Sequence, residues 1–226
     1  MSVLENRLAI QENIEQACNR AGRDPKDVEI IAVTKYVSPL RAQEAVGSGL
    51  THLGENRLEG LLDKKKQVHG DHLRWHFIGS LQSRKVKDVI PHIDFLHSLD
   101  RMSLADEIEK RAEKRVKCFI QLNLSGETTK HGMDETALMP FIKSLERYTK
   151  IEVVGLMTMA PFTEDTEKLR GVFRRLKELQ LRVEELNLPY APCHDLSMGM
   201  SNDYPLAVEE GATFVRIGTA LVGKEG

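Results

Sequence analysis

The sequence predicts an α/β protein, a single (β/α)8 barrel of the TIM type with an additional N-terminal helix. Short apolar runs alternate with amphipathic, charged segments from one end of the chain to the other, which is typical of repeated strand-helix units around a parallel sheet. Eight such runs occur, whereas an open doubly wound sheet shows fewer strands and a glycine-rich first turn. Since no Pro/Gly/Ser linker interrupts the pattern, residues 1–226 are predicted to form one domain.

The spacing of apolar residues places the individual elements. The predicted strands are VEIIAVTK, THLGE, LRWHFIG, IDFLHSLD, VKCFIQLNL, IEVVGLM, CHDLSM and TFVRIG. A leading helix is predicted over residues 3–21, where Leu4, Ile10, Ile14, Ala17 and Cys18 recur at helical spacing. Further helices are predicted over residues 39–46, 56–68, 104–115, 136–148 and 169–186.

Composition excludes several classes of function. The formal net charge of -2 provides no basic field for nucleic acid or an anionic membrane surface, so neither is an expected partner. No apolar stretch approaches bilayer length, and the N-terminus lacks the basic start and apolar run of a signal peptide. Three widely spaced cysteines without a CxxC motif favour buried thiols in a reducing compartment. We therefore expect a cytoplasmic protein.

The spacing of the histidines does not predict a metal site. His69 and His72 lie in a polar segment without acidic or cysteine ligands at a suitable spacing, and His97 is similarly isolated, so we interpret them as solvent-facing. We assign no metal site. The charge run at residues 64–66 is interpreted as a solvated helix face.

Lys35 is the first candidate functional residue because it closes the first predicted strand, at the barrel end where active sites lie. Strand alternation puts Val33 and Lys35 on one face, which we predict to be the barrel interior. A lysine that is desolvated there has a lowered pKa and can form a Schiff base. The alternative is a strand-end lysine that reaches solvent.

Two glycine- and serine-containing turns follow the last two predicted strands. They are LSMGMSND at 196–203 and RIGT at 216–219, the loops that commonly bind phosphate in such barrels. The residues of suitable type are Ser197, Gly199, Ser201, Gly218 and Thr219. Either turn alone would be explained by ordinary turn chemistry, but both together favour a phosphate site.

Arg216 lies between these turns, and alternation along TFVRIG places it with Phe214 on the inner face. A buried guanidinium stays charged and needs a partner. The alternatives are a carboxylate such as Glu55 or Asp100, or a ring nitrogen of a bound cofactor.

With these residues, the chain resembles the pyridoxal phosphate homeostasis protein family, which is similar to the N-terminal barrel domain of alanine racemase standing alone. The matching segments are AVTK (32–35), LGENR (53–57), WHFIGSLQSRK (75–85), QLNLSGETTKHG (121–132), GLMTM (155–159), LSMGMSND (196–203) and VRIGTALVG (215–223). The resemblance implies pyridoxal 5′-phosphate as cofactor, a role in the homeostasis of that cofactor, and no established catalytic turnover.

The resemblance also implies roles for individual residues. Lys35 matches the Schiff-base lysine and Arg216 the residue beside the pyridine nitrogen. Ser197, Gly218 and Thr219 match the phosphate cradle, and Ser201 of the same turn is predicted to bind the cofactor with them. Asn56, His76 and Met157 match positions that line the cofactor. Lys130 matches a lysine discussed as a secondary contact, but in ETTKHG we interpret it as solvent-exposed.

Two function classes remain open, a cofactor carrier or regulator and a small pyridoxal phosphate-dependent amino-acid racemase. Racemases of this barrel type use a second base, a tyrosine from an additional domain, and from this sequence we expect no such domain. Tyr36 is expected to alternate away from Lys35. We therefore favour the carrier, with pyridoxal phosphate and apo-enzymes that receive it as candidate partners, and expect a monomer or weak dimer.

Overall fold

A computed structural model describes residues 2–126 and 131–225, and over these residues eight parallel strands close into a barrel in chain order. The first strand pairs with both the second and the eighth, which completes the ring. The barrel prediction is confirmed. The strands are β1 (Glu29–Val33), β2 (His52–Glu55), β3 (Arg74–Phe77), β4 (Phe95–Leu99), β5 (Val116–Leu122), β6 (Ile151–Thr158), β7 (Asp195–Met200) and β8 (Phe214–Ile217).

Helices connect the strands and surround the barrel. They are α1 (Val3–Ala21), α2 (Pro39–Gly47), α3 (Leu58–Gln67), α4 (Val86–Val89), α5 (Met102–Arg111), α6 (Leu138–Ser144), α7 (Thr166–Glu184), α8 (Tyr204–Glu209) and α9 (Thr219–Val222). The additional N-terminal helix begins where Ser2 and Glu5 form a reciprocal capping box. Its Asn6 and Asn13 donate hydrogen bonds to the Leu221 carbonyl and the Tyr204 hydroxyl, so α1 braces the two helices that follow β7 and β8.

Strand alternation separates two apolar layers, as the sequence predicted. One layer lies between the strands and the helices, and the other fills the barrel interior. Val33 and Phe214 face the interior, whereas Val215 and Ile217 face the helices. The interior layer consists of Ile31, Val33, Phe95, Phe119, Val154, Met157 and Phe214.

The observed elements differ from the predicted ones at the end of one strand and where the helices are short. Strand β7 continues to Met200 instead of ending at residue 198, which places Gly199 and Met200 inside the strand and Ser197 away from its end. The segment 136–148 contains a seven-residue helix between single 3₁₀ turns, at Glu135–Ala137 and Leu145–Arg147. Helices α4, α8 and α9 were not predicted because four to six residues are too few to show helical periodicity.

The lysine run at 64–66 is not a uniformly solvated face, so that interpretation is wrong for its first member. Lys64 is buried, and its Nζ lies 3.1 Å from the Glu55 carboxylate, which is also buried. The same carboxylate accepts a hydrogen bond of 2.6 Å from the Thr34 hydroxyl. The pair thus ties α3 to the ends of β1 and β2, next to Lys35.

Along residues 2–126 and 131–225, none of the helices combines the length and the apolar character that a membrane crossing requires. The same stretches contain no cluster of three histidine, cysteine or acidic side chains that could hold a metal ion. The assignment of residues 1–226 to one domain stays a prediction, and Lys130 lies outside the described residues.

Candidate functional site

A cavity of about 500 Å³ opens at the carboxyl ends of the strands. Residues from seven of the eight strands and the loops that follow them contribute to its wall, as expected for a barrel of this type. Seven of the nine residues predicted for the site line it, namely Lys35, Asn56, Met157, Ser201, Arg216, Gly218 and Thr219. His76 and Ser197 are not among the lining residues.

Lys35 lies at the mouth of the cavity rather than in the barrel interior. Its side chain is exposed, so the expectation that the barrel desolvates this lysine is wrong. Its Nζ is 4.8 Å from the centroid of the Tyr36 ring. Tyr36 also lines the cavity, contrary to the expectation that it points away, because the chain has left strand β1 and alternation no longer applies. Lys35 can therefore reach a ligand that enters from solvent.

Arg216 forms the opposite, buried part of the site. Its side chain is 5% exposed, and two guanidinium N–H groups donate to the Ser197 hydroxyl at 2.6 Å and the Thr158 carbonyl at 3.0 Å. Burial lowers the pKa of Arg216 to about 10, so the guanidinium still carries its charge at neutral pH. The position of Arg216 on the inner face was predicted correctly.

Neither carboxylate considered as a partner of Arg216 contacts it. Glu55 is occupied by Thr34 and Lys64, and Asp100 pairs with Arg101 at 2.6 Å. Among the residues with described positions, Arg216 forms no salt bridge. The nearby Asp203 favours its charged form, and burial raises the pKa of that carboxyl group, whose Oδ1 accepts the Met200 N–H at 2.6 Å.

Ser197 and His76 lie below the cavity, in a line of hydrogen-bonded side chains that runs through the barrel. We call His52, His76 and His97 the histidine column. Their ring nitrogens are 2.7 Å apart between His52 and His76 and 2.8 Å apart between His76 and His97. The column continues from His97 Nδ1 to Ser197 Oγ at 2.9 Å, and from there to Arg216.

The direct cofactor contacts assigned to these two residues are therefore not supported by the geometry. The hydroxyl of Ser197 is held by His97 and Arg216, because Ser197 lies within β7 and points into the barrel. His76 is also fully buried and is the next member of the histidine column after His97. His97 was missed as a site residue, and its interpretation as solvent-facing is wrong, because its side chain is fully buried and stacks on Phe119 inside the barrel.

The aromatic residues of the barrel interior hold the histidine column in place. His76 stacks on Phe95 with ring centroids 4.3 Å apart, and His97 stacks on Phe119 at the same distance. Burial lowers the pKa of both imidazoles well below its usual range, and the adjacent histidines and, for His97, the Arg216 charge act in the same direction. Both rings are therefore neutral at neutral pH.

The two glycine-containing turns meet beside the cavity. Gly199 has φ +90°, and an added Cβ would lie 2.6 Å from the Ala207 Cβ, so this position requires glycine. A Cβ at Gly218 would only contact Val33 at 3.6 Å, and the space above it belongs to the cavity. Ser201 Oγ faces the first turn of α9, where it lies 3.5 Å from the Ala220 amide nitrogen.

Comparison with known proteins identifies the family. The model of the family described as alanine racemase, N-terminal domain, matches residues 6–226. A pyridoxal phosphate homeostasis protein of Aquifex aeolicus is 40% identical over 228 residues, which cover 99% of each chain. The chain belongs to the pyridoxal phosphate homeostasis protein family.

Solved structures agree with this membership. The structure of PipY from Synechococcus elongatus with PLP bound is 31% identical, with a TM-score of 0.82, and the match covers 93% of this chain and all of PipY. Alanine racemase of Corynebacterium glutamicum has a TM-score of 0.69 at 18% identity. That match covers 96% of this chain but 60% of the racemase, so it shows a shared barrel fold.

Acid should destabilise this family member through His76 and His97. Both stay neutral in the folded protein, whereas the unfolded chain takes up protons below the usual histidine pKa of 6.5. The free energy of unfolding is therefore at its highest above that pH and decreases as the pH falls. The slope of this decrease approaches about 2.7 kcal/mol per pH unit for two protons. Urea unfolding between about pH 7.5 and about pH 5.5 measures this slope.

The control for the acid experiment is a histidine on the surface. His69→Asn removes an exposed imidazole and should leave the slope unchanged, whereas His97→Asn should reduce it by about half. A free energy of unfolding that stays constant over this pH range would contradict the assignment of neutral, buried histidines.

Proposed function

We propose that this protein binds pyridoxal 5′-phosphate in the 500 Å³ cavity and serves the intracellular homeostasis of that cofactor. The observation that carries the proposal is Arg216, a buried guanidinium that faces the cavity without a carboxylate partner in the described parts of the chain. With two N–H groups engaged by Ser197 and Thr158, it retains donors for a neutral acceptor such as a pyridine nitrogen. Membership of the family and the PLP-bound PipY structure support this choice of ligand.

The remaining cavity residues fit the other parts of the cofactor. Lys35 supplies the amine for covalent attachment as a Schiff base at the solvent side of the cavity. The hydroxyls of Ser201 and Thr219 and the open space at Gly218 suit a phosphate group. Asn56 and Met157 line the walls between these ends. When bound, the cofactor supplies an aldehyde that reacts reversibly with amines.

Lys35→Ala tests the covalent attachment. Because no other amine is assigned to this role, the variant should lose the borohydride-stable adduct while retaining weak cofactor binding through Arg216 and the phosphate contacts. The measurement is mass mapping of the reduced protein after loading with pyridoxal phosphate. Lys65→Ala, a change to an exposed lysine beside Trp75, is the control and should keep full labelling. Full labelling of the Lys35 variant would show that another amine is used.

The phosphate contacts are tested by comparing pyridoxal phosphate with pyridoxal. Charge-assisted hydrogen bonds contribute about 1.5–3 kcal/mol each, so Ser201→Ala should weaken binding of the phosphorylated form by about 10- to 150-fold. Gly218→Ala should remove most of the preference, since its Cβ fits against Val33 but occupies the cradle. Calorimetric or fluorescence titration provides the dissociation constants.

The matched control is Gly171→Ala, where an added Cβ on the exposed side of α7 meets no neighbouring atom. This variant should keep the wild-type preference. If Gly218→Ala also keeps it while circular dichroism shows a normal fold, the phosphate does not bind at these turns.

We further propose that the protein carries the cofactor rather than turning over amino acids. A two-base racemisation needs bases on opposite sides of the substrate. Within the described ranges, the tyrosine that lines the cavity is Tyr36, and its ring lies against the Lys35 amine on the same side. Tyr148 and Tyr204 are engaged by Asp106 and Asn13 away from the site. The permanent cation of Arg216 also disfavours a protonated ring nitrogen, which carbanion chemistry uses as an electron sink.

The carrier proposal predicts no racemisation of alanine or serine that depends on Lys35. Chiral chromatography after long incubation with the cofactor-loaded protein measures this, and the Lys35→Ala variant defines the background. Turnover well above that background would support the racemase instead.

The proposed location and partners follow from the same role. Cys18, Cys118 and Cys193 are free and buried, and burial raises the thiol pKa of Cys193 to about 12, which suits a reducing cytoplasm without disulfides. Apo-enzymes that receive the cofactor would approach the cavity mouth, where Phe162 is 95% exposed.

A further inference from the structure

The histidine column has a chemical direction that Arg216 imposes. A guanidinium has N–H donors and no acceptor, so Ser197 Oγ must accept in its contact with Arg216. The serine hydroxyl has one proton, and the nearest described acceptor is His97 Nδ1 at 2.9 Å. Ser197 therefore donates to His97, whose neutral ring carries its own proton on Nε2.

The same reasoning passes along the whole column. The Nε2–H of His97 donates to His76 Nδ1, and the Nε2–H of His76 donates to His52 Nδ1. The Nε2–H of His52 then faces the carboxylate of Glu29, 4.0 Å away at the opposite end of the barrel. All three rings thus have the same tautomer.

The reverse direction is disfavoured at both ends. If His97 donated from Nδ1, Ser197 would receive two hydrogen bonds and its own proton would lack a described acceptor in a buried site. At the other end, His52 would present an unprotonated nitrogen to the Glu29 carboxylate. The stacking of His76 on Phe95 and of His97 on Phe119 prevents the rings from turning over to relieve either contact.

We infer that Ser197 and the histidine column form a one-directional hydrogen-bond relay that fixes the orientation of Arg216, and that His97 is a positioning residue for this guanidinium. The relay keeps the Ser197 oxygen free to accept from Arg216, so the guanidinium is held with its remaining donors toward the cavity. The effect on the ring nitrogen of the cofactor rests on the proposed function. The direction of the relay does not, because it follows from side chains of the protein alone.

Nitrogen-15 NMR of the ligand-free protein tests the direction. Long-range proton-nitrogen spectra distinguish protonated from unprotonated ring nitrogens, and we expect His52, His76 and His97 each to carry the proton on Nε2 at neutral pH. Single substitutions of each histidine assign the signals. A proton on Nδ1 of His97 or His76 in the wild-type protein would overturn the relay.

Substitution of the residue that imposes the direction should weaken the preference for one direction of the hydrogen bonds. In Arg216→Leu, Ser197 can accept from His97, so a fraction of the His97 rings should shift the proton to Nδ1. Ser197→Ala removes the hydroxyl that donates to His97 Nδ1, so the preference of His97 for a proton on Nε2 should also weaken, with Arg216 still present. Arg182→Leu, which removes an exposed arginine on α7, is the control and should leave the three tautomers unchanged. Unchanged tautomers in both relay variants would refute the inference.

The positioning role of His97 is tested by two variants that differ in one acceptor. His97→Leu removes the acceptor for the Ser197 proton, so cofactor affinity should fall about tenfold and the absorption spectrum of the bound cofactor should shift. His97→Asn places an amide oxygen near the former Nδ1 and should restore most of the affinity and the spectrum. Equal loss in both variants would indicate a merely structural histidine.

These readouts separate the two proposals. If the wild-type protein shows the expected tautomers but does not bind pyridoxal phosphate, the proposed function fails and the relay stands. If it binds the cofactor but the tautomers are mixed, the relay fails and the proposed function stands.

Discussion

The burial of the Arg216 guanidinium inside the barrel is the constraint on which the rest of the site depends. A charge that is removed from water without compensation is costly, and a buried arginine is normally paired with a carboxylate. Here the direct hydrogen-bond partners are an uncharged hydroxyl and a backbone carbonyl, with Asp203 acting only at longer range. The barrel accommodates the charge by extending polar contacts from Ser197 through three imidazoles, and phenylalanine rings pack against two of them.

The site therefore combines two cationic groups with opposite physical character. Lys35 is exposed at the rim, where its stem has rotational freedom and its amine is hydrated. Arg216 is buried and fixed by hydrogen bonds on two sides. A ligand held between them meets a rigid group at its inner end and an adaptable, reactive group at its outer end. This arrangement suits reversible holding of a reactive aldehyde better than the paired, opposed bases of a racemase.

Much of this arrangement could be predicted from the sequence because strand alternation determines which face a residue occupies. It placed Val33, Phe214 and Arg216 correctly on the inner face. Alternation does not determine depth along the barrel axis, and the end of a strand is uncertain by about two residues. For this reason Ser197 was assigned to the phosphate loop when it lies inside β7, and Lys35 to the interior when it lies at the rim.

Local sequence patterns do not predict contacts between strands that are distant in the sequence. His97 and Ser197 are 100 positions apart, and only closure of the barrel brings them within hydrogen-bond distance. The sequence likewise favours a solvated Lys64, because its neighbours in the run are lysines. The Glu55 carboxylate that pairs with it in a buried position belongs to another element. Isolated polar residues in apolar strands, such as His76 in RWHF and His97 in FLHSL, are the available signal for such networks.

The uniform tautomer of the histidine column gives the barrel interior an electrical polarity along its axis. Each imidazole has its protonated nitrogen toward Glu29 and its lone pair toward Arg216, so the three ring dipoles point the same way. Their negative ends face the guanidinium, just as the carboxyl end of a helix faces a cation that it stabilises. The aligned neutral rings thus provide part of the favourable electrostatic potential at Arg216. A single buried carboxylate would provide that potential through its charge. A cation stabilised in this way keeps more of its positive field on the cavity side than one that is paired directly with a carboxylate.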